Sequence, residues 1–355
     1  MTGPGFLFGP GPAGWWDDAK CSCPVVHREA DGYRMWYYGF ERGFPGMLAE
    51  EMSSIPMGRS GAARSADGVV WEKVAGPGVR GAVLDPSGDP ARFDQFQVGV
   101  TDVIRVGDEY WLYFMGTKDG IRQLRGRIRK GSPGAIGLAV SSDGLHFRKV
   151  DGTAGAGAVV APRAPEEWAV HFPRIIRLPD GTFRMYFGVS REDGTGGTQL
   201  AESADGIHWE RRGQVFGANP DPTAFDSLGA GGGKVIPWQG GWLMAYEGLA
   251  AAGSGYSYRI GLAASPDGVR WERLPGPRAG GAILDLGAPG SWDEVAIGTP
   301  YLVAEPDGSL KLYYVGFASS IVPGIGLALC DGRDLTRWEK VERASHAERA
   351  APREQ

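Results

Sequence analysis

Short apolar runs alternate with polar turns along the whole chain, and one pattern of two such runs occurs five times. In the copy at 136–147, Ile-Gly-Leu-Ala-Val-Ser-Ser-Asp-Gly-Leu-His-Phe, an Asp-Gly turn separates two β-type segments. Asp-Gly between alternating apolar residues is a strong signal for a β-hairpin. The copies span 61–71, 136–147, 200–209, 260–271 and, in a longer form, 325–338. A spacing of roughly 60 to 75 residues exceeds one hairpin and is typical of propeller blades.

A second hairpin precedes each Asp-Gly hairpin, so that each repeat contains four strands. Its first strand, the innermost of a blade, is predicted at 21–26, 99–104, 171–176, 231–236 and 298–303. Its second strand is aromatic, as in Tyr-Arg-Met-Trp-Tyr-Tyr-Gly at 33–39, which suits the packed surfaces between blades. The sequence therefore predicts an all-β fold, a five-bladed β-propeller of four-stranded antiparallel blades.

The N-terminal segment is predicted to close the ring. Four repeats are preceded by a lead-in segment, an apolar run followed by an aromatic residue beside an acid. These pairs are Phe93-Asp94, Glu167-Trp168, Phe225-Asp226 and Trp292-Asp293. The N-terminus contains the same segment, with Trp16-Asp17, whereas the last repeat ends near Val341 without one. We expect the N-terminal segment to complete the ring after the last blade and to remove an open sheet edge.

This organisation predicts one propeller domain over residues 1–341. The remaining residues, 342–355, are charged and have no apolar period, so we expect them to form a disordered tail.

Composition narrows the function classes. The net charge of −5 gives no basic surface for nucleic acid, and no apolar run reaches the ~18 residues of a membrane span. The N-terminus has no basic region followed by an apolar core, so no secretory signal is predicted. Cys21 and Cys23 share one face of a predicted strand and are expected to be free buried thiols. We therefore expect a cytoplasmic protein.

Acids that recur in every blade are expected to be architectural, whereas departures from the repeat indicate function. Aligning the apolar pairs of the inner strands places one residue of each blade at a common level. These residues are Pro24, Asp102, Arg174, Lys234 and Tyr301. Charged groups at matching inner positions are unfavourable unless they are paired or used. Two interpretations stay open, a structural salt-bridge cluster and an acid/base or anion-binding pocket.

Four further residues depart from the repeat. His171 interrupts a column of glycines, and a histidine at this position either makes a structural hydrogen bond or titrates near neutral pH. Glu247 replaces an apolar or aromatic residue at the end of a second strand. Asp18 and Glu294 each add an acid directly after the repeated aspartate. Each acid is either a general acid or a solvated loop carboxylate.

Two long loops are predicted on the same face of the ring. Residues 40–60 are interpreted as a lid or partner surface. Residues 117–134 carry a basic run that either is solvated or attracts an anion. The sequence contains no phosphate loop, dinucleotide fingerprint, zinc-protease helix or serine nucleophile elbow. No metal and no cofactor are therefore predicted.

The repeat resembles a known family. The aromatic-Asp pair, Tyr-x-Met-x-Tyr-x-Gly and Ile-Gly-Leu-Ala-x-Ser-x-Asp-Gly-x-x-Trp are similar to five-bladed propellers of the arabinanase, invertase and levansucrase type, including glycoside hydrolase families 43, 32 and 130. The resemblance extends from about residue 5 to 341. It implies an inner-strand aspartate as base or nucleophile, a positioning aspartate and a glutamic acid as proton donor.

This chain departs from that catalytic set. The first inner strand reads Lys-Cys-Ser-Cys-Pro, without the usual Asp-Pro, and the third offers His171 where the resemblance implies glutamate. We therefore predict a glycoside hydrolase-like enzyme with an atypical set, in which Asp18 and Asp102 act as base and positioning acid and Glu247 acts as the acid.

The predicted ligand is a small molecule, a sugar or sugar-like compound, with an anionic substrate as one expectation. The residues expected to orient it are His171, Arg174, Lys234, Tyr301 and Glu294. Two alternatives are a repurposed lyase, cyclase or isomerase and a non-catalytic binding propeller. The sequence does not indicate an oligomeric state.

Overall fold

A computed structural model describes residues 3–43, 58–119, 123–124, 127–128, 134–191, 196–252, 255–318 and 321–342. Its strands are, in chain order, β1 (Phe6–Phe8), β2 (Lys20–Glu29), β3 (Gly32–Phe40), β4 (Arg59–Ser65), β5 (Glu72–Val74), β6 (Gln97–Val106), β7 (Glu109–Thr117), β8 (Gln123–Leu124), β9 (Arg127–Ile128), β10 (Ala135–Ser141), β11 (Arg148–Val150), β12 (Glu167–Arg177), β13 (Phe183–Arg191), β14 (Gly196–Ser203), β15 (Glu210–Phe216), β16 (Gly229–Trp238), β17 (Gly241–Ala252), β18 (Gly255–Ser265), β19 (Glu272–Arg273), β20 (Ala296–Ala304), β21 (Leu310–Ala318), β22 (Ile321–Cys330) and β23 (Glu339–Lys340). Two 3₁₀ turns cover Val79–Gly81 and Ala279–Gly281.

The strands form five antiparallel blades, which confirms the predicted propeller. From the axis outwards, blade 1 is β2-β3-β4-β5, blade 2 is β6-β7-β10-β11, blade 3 is β12-β13-β14-β15, blade 4 is β16-β17-β18-β19, and blade 5 begins β20-β21-β22. The strands β8 and β9 pair only with each other, between the second and third strands of blade 2.

The N-terminal segment closes the ring, as predicted. The strands β1 and β23 lie along the same outer edge of β22, and β1 pairs antiparallel with it. The amide of Gly5 donates to the carbonyl of Val341 (2.8 Å), and the amide of Leu327 donates to the carbonyl of Gly5 (2.9 Å). The last blade thus has no exposed outer edge at this point. The predicted tail lies outside the described residues, apart from Glu342.

The recurring lead-in acids are architectural. Asp226 receives a 2.6 Å ion pair from Arg273 of β19, and Asp293 receives one of 2.6 Å from Lys340 of β23. The other blades have the same arrangement, with Asp17–Lys73, Asp94–Lys149 and Glu167–Arg211. Each pair fastens the lead-in loop to the outermost strand of its own blade. Repetition of an acid in this sequence therefore signals structure.

The aromatic second strands connect neighbouring blades. The hydroxyls of Tyr113, Tyr186 and Tyr313 donate to the glycine carbonyl of the Asp-Gly turn in the next blade, at 2.8 to 2.9 Å. Trp36 makes the equivalent bond from blade 1 to blade 2 with its indole N–H (2.8 Å). In blade 4 the matching residue is Ala245, which cannot donate. Four of the five interfaces between neighbouring blades therefore contain the same hydrogen bond, from an aromatic residue of the second strand to a turn glycine.

Replacing Tyr186 with Phe removes one of these buried donors without changing the ring. We expect the free energy of unfolding to fall by about 1 kcal/mol, because the carbonyl of Gly268 loses its partner. Urea denaturation of Tyr186→Phe checks this. Tyr110→Phe is the matched control, since its hydroxyl bonds to Glu29 in a more exposed setting and a smaller loss is expected. Equal losses in the two variants would contradict this account.

Candidate functional site

The inner strand of each blade carries an irregularity at the same height, and it divides the axial channel into two levels. Nearer the lead-in loops lies the upper level, formed by Ser22, Gly99, His171, Gly231 and Gly298. Three residues further on lies the lower level, formed by Val25, Asp102, Arg174, Lys234 and Tyr301. The predicted assignment of Pro24 to this level is wrong by one residue. Pro24 belongs to the irregularity itself, and Val25 pairs with Trp36.

Asp102 is the centre of the lower level and is fully buried. Lys234 of blade 4 donates to both carboxylate oxygens, at 3.0 and 2.9 Å, and the hydroxyl of Tyr301 in blade 5 donates to Oδ1 at 3.0 Å. The amides of Ile175 in blade 3 and Val103 donate to Oδ2 and Oδ1, at 2.7 and 3.0 Å. One carboxylate therefore joins four blades.

Arg174 is also occupied within the protein. Its guanidinium donates to the carbonyl of Thr101 and, at 3.4 Å, to that of Gly232, and it lies 5.2 Å from the ring centre of Tyr301. Burial lowers the pKa of Lys234, although the adjacent Asp102 opposes this shift. The lower level is thus a packed cluster in which Lys234 pairs with Asp102 and Arg174 is held by backbone carbonyls. The substrate-orienting roles assigned to Arg174, Lys234 and Tyr301 stay predictions.

Glu247 lies in the upper level, at the position of β17 that pairs with Gly231. Its Oε2 accepts the amide of Thr299 from blade 5 at 2.7 Å, and it approaches Gly298 so closely that a Cβ there would lie 2.0 Å from this oxygen. Loss of hydration raises the pKa of Glu247 to about 7, although the Thr299 amide and the charge of Arg174 oppose the rise. A carboxyl that is partly protonated at neutral pH is suited to proton donation.

His171 lies in the same level and is held against its own blade. Its Nε2 is 3.0 Å from Ser190 Oγ, and its ring covers Gly188, where a Cβ would lie 2.4 Å from Nδ1. Loss of hydration lowers the pKa of His171 to about 4, so the imidazole is neutral at physiological pH. Nδ1 is buried and has no hydrogen-bond partner. The strand pairing confirms the predicted column, because Gly99, Gly231 and Gly298 occupy the position of His171 in their own blades.

Among the described residues, the two sides of the upper level differ. Cys23, Tyr38, Met115 and Phe172 form a buried cluster from blades 1 to 3, with Trp168 packed against it. Blade 4 places glycines on the other side, and Gly231 and Gly232 are partly exposed, as is Glu247. We call the space beside Gly231, Gly232 and Glu247 the axial recess. Solvent reaches the acid there.

Asp18 and Glu294 lie in the lead-in loops. Asp18 accepts the amides of Gly14 (2.9 Å) and Arg42 (2.7 Å), and Glu294 accepts the amide of Gly290 at 2.6 Å. Burial tends to raise the pKa of Asp18, but the two amides outweigh it and the pKa is lowered. Asp18 is therefore ionised at neutral pH. Both acids hold the turns that precede their blades, and their predicted catalytic and binding roles stay predictions.

Two residues beside the upper level were not singled out from the sequence. Thr299 binds Glu247 through its backbone, so side-chain chemistry gives no signal for it. Trp168 did leave a signal, because it follows its lead-in acid instead of preceding it, and only this tryptophan joins the axial cluster among the described lead-in aromatics. Most of the loop residues predicted as a lid and as a basic surface, 44–57 and 120–133, lie outside the residues whose side chains are described.

Two large grooves along the described residues are lined by residues other than those of the two axial levels. One of about 750 Å³ is lined by Arg177, Trp238 and Trp242, and one of about 800 Å³ by Glu305 and Lys311, both at the turns that join first and second strands. Neither groove is lined by Glu247 or by His171. We therefore place the candidate site at the axial recess. Within the described ranges, no three His, Cys, Asp or Glu side chains are grouped to hold a metal ion.

The five blades and their N-terminal closure define the five-bladed β-propeller fold of the glycoside hydrolases of families 43 and 32. A thermostable family-43 glycoside hydrolase is 17% identical with a TM-score of 0.62, and the match covers 88% of this chain and 91% of that one. The sucrose-6-phosphate hydrolase from Lactobacillus gasseri is 12% identical with a TM-score of 0.61, over 92% of this chain and 60% of that one. At these identities the likeness shows the fold alone.

A sequence relative occurs in Mycobacterium tuberculosis (strain ATCC 25618 / H37Rv). The uncharacterised protein Rv1502 is 28% identical over 287 residues, which cover 77% of this chain and 86% of that protein. No family model matches the chain. Among the described residues, no helix is long and apolar enough to cross a membrane.

Replacing Asp102 with Asn tests whether the lower level is structural. We expect a loss of about 3 to 5 kcal/mol in the free energy of unfolding, because Lys234 keeps a buried charge without its partner. Removing both charges, in Asp102→Asn/Lys234→Met, is expected to recover part of that loss. Urea denaturation of the single and double variants checks this. An inactive Asp102→Asn protein with wild-type stability would instead make Asp102 catalytic.

Proposed function

We propose that this protein is a glycoside hydrolase-like enzyme that acts on a sugar or sugar-like small molecule in the axial recess, with Glu247 as the proton donor. The observation that carries the proposal is the position of a carboxyl with a pKa of about 7 at the open side of the propeller axis. The fold shared with glycoside hydrolases supports the choice of substrate class by analogy only.

The geometry of Glu247 suits an acid. Its Oε2 accepts the amide of Thr299, so the proton of the neutral form resides on Oε1 and is available for donation. Protonation of a leaving glycosidic oxygen is the step for which hydrolases raise the pKa of one carboxyl. Asp18, with its lowered pKa, is the candidate base, so the two acids would divide the roles by their environments.

Asp102 supports this chemistry as a positioning acid and not as a nucleophile. Both of its oxygens are held by Lys234, Tyr301 and two backbone amides. These contacts favour a neutral ligand over an anionic one. Lys234 is ion-paired with Asp102, and Arg174 donates to backbone carbonyls, so both cations are already bound within the protein. A thermal-shift measurement with sugar phosphates and sugar acids tests the anionic alternative, because a bound ligand raises the Tm.

A second candidate is a non-hydrolytic enzyme, such as a lyase or an isomerase. The observation that favours it is the neutral His171 in the same level as Glu247, since a neutral imidazole and a protonated carboxyl can act as base and acid. Loss of turnover in His171→Gln on a substrate that contains no glycosidic bond would favour this candidate.

Replacing Glu247 with Gln is expected to lower kcat/KM about 10² to 10⁴-fold, because the amide cannot donate the proton. In the wild type we expect kcat/KM to fall as the pH rises through about 7, since the protonated form of Glu247 in the free protein is the active one. The measurement is release of free sugar from a panel of methyl α- and β-glycosides of common pyranoses and furanoses, whose alcohol leaving group needs the proton, across pH 5 to 9.

Glu210→Gln is the matched control, because Glu210 is an exposed carboxylate of the outer strand β15. It should retain wild-type turnover and the same pH profile. Wild-type activity in Glu247→Gln, or a rate that increases through pH 7, would contradict the assignment of Glu247. Turnover of none of the glycosides would remove the support for hydrolysis.

A further inference from the structure

We propose that the hydroxyl of Thr299 determines specificity by binding a hydroxyl group of the sugar in the axial recess, beside Glu247. The proposal rests on the proposed function and adds to it a second ligand contact, from blade 5.

Thr299 is an unusual residue for its position. Its backbone has φ +44°, in the left-handed region that β-branched residues rarely adopt. This conformation accompanies the bond from the Thr299 amide to Glu247 Oε2. The matching residues Cys23, Phe172 and Gly232 also have a positive φ, so this conformation belongs to the irregularity of the inner strand, and only Thr299 meets it with a β-branched side chain.

The side chain of Thr299 carries a polar atom that the protein itself does not use. The residue is only 2% exposed, and its Oγ1 is buried with no hydrogen-bond partner. Burying an unpaired hydroxyl is unfavourable, and valine would fill the same volume without that penalty. Thr101, two blades along the ring, shows the usual outcome, since its hydroxyl donates to the carbonyl of Tyr113 at 3.3 Å.

The position of Thr299 in the ring directs it to the axis. The matching residues of blades 1 and 3 are Cys23 and Phe172, which belong to one cluster although their blades are not neighbours. Such residues meet only across the axis. Arg174 of blade 3 also reaches Cys23 Sγ, at 3.9 Å. The same position in blade 5 therefore faces the axis as well.

The matching residue of blade 4 leaves room for a ligand. It is Gly232, which is partly exposed, and a Cβ built on it would lie 3.9 Å from Phe172, without a clash. A gap that solvent reaches therefore lies beside the backbone of Gly232, and Glu247, which pairs with the neighbouring Gly231, lies next to it on β17. A ligand group in this gap would meet a carboxyl on one side and a hydroxyl on the other.

The hydrogen-bonding capacity of a threonine hydroxyl indicates which kind of ligand group would bind to it. It offers one donor and two acceptor sites, so it pairs best with another hydroxyl, which also donates and accepts. A site built to bond a substrate hydroxyl discriminates against the analogue that lacks it, because its own polar atom is then left unpaired. Thr299 is therefore expected to distinguish a sugar from one of its deoxy forms.

The test compares Thr299→Val with Thr101→Val. The ligands are D-glucose, D-mannose, D-galactose, D-xylose, L-arabinose and D-fructose, followed by the monodeoxy analogues of the tightest binder. We expect the Tm of Thr299→Val to equal or exceed that of the wild type, and the Tm of Thr101→Val to fall. By calorimetric titration, the Kd of the tightest sugar should rise about five- to tenfold in Thr299→Val.

The deoxy analogues identify the contact. The wild type and Thr101→Val should bind one monodeoxy sugar more weakly than its parent, whereas Thr299→Val should bind the two equally. Thr299→Ser keeps the hydroxyl and should keep the discrimination. If Thr299→Val does not fold, Thr299→Ala and Thr299→Ser form the same comparison.

Three results would overturn the proposal. A Kd in Thr299→Val equal to that of the wild type would refute the contact while leaving the role of Glu247 intact. A fall in Tm equal to that of Thr101→Val would mean that the hydroxyl is already bonded in the free protein, as by an ordered water. Binding of none of the six sugars would overturn both this proposal and the sugar-directed function.

Discussion

The ion pair between Asp102 and Lys234 is the constraint on which the axis of this propeller depends. Blades 2 and 4 are not neighbours in the ring, yet these two side chains meet at 2.9 Å with the carboxylate fully buried. Such a pair is tolerated in an interior only when its remaining hydrogen-bonding capacity is filled. Tyr301 of blade 5 and the amide of Ile175 in blade 3 fill it.

The filled lower level determines where chemistry can occur. Because Arg174, Lys234 and Tyr301 are used by Asp102 and by backbone carbonyls, the accessible groups lie one level higher. There the same irregularity of the inner strand has different residues in each blade. Blades 1 and 3 place Cys23 and Phe172 in it, which cluster with Met115 from the second strand of blade 2, and blade 4 places glycine. This asymmetry opens the axial recess on the side where Glu247 lies.

The repeat made the architecture predictable, because period, turn chemistry and aromatic strands all indicated the same blades. The N-terminal closure followed from a lead-in segment present at one end of the chain and missing at the other. The one misplaced residue, Pro24, shows the weakness of aligning apolar pairs, since a bulge adds residues that a pattern does not reveal. Glu247 was detectable because it broke a column of apolar residues.

The properties of the site were less predictable. The pKa of Glu247 depends on its burial and on the backbone amide of Thr299 from another blade. Neither can be predicted from the sequence that flanks Glu247. Thr299 was missed because its contact uses the backbone. In the sequence, Trp168 differed only in following its lead-in acid, whereas the other lead-in aromatics precede theirs. Its contact with the axial cluster could be recognised only from the folded structure.

The ionisation of Glu247 is the property that links this fold to a function, and it can be measured directly. In protein labelled with ¹³C at the glutamate carboxyl carbons, the resonance that is missing from Glu247→Gln identifies this group. The account predicts that its chemical shift titrates with a midpoint of about 7. A midpoint near the ordinary glutamate value, about 4.3, would contradict it, because the carboxyl would then hold no proton at neutral pH.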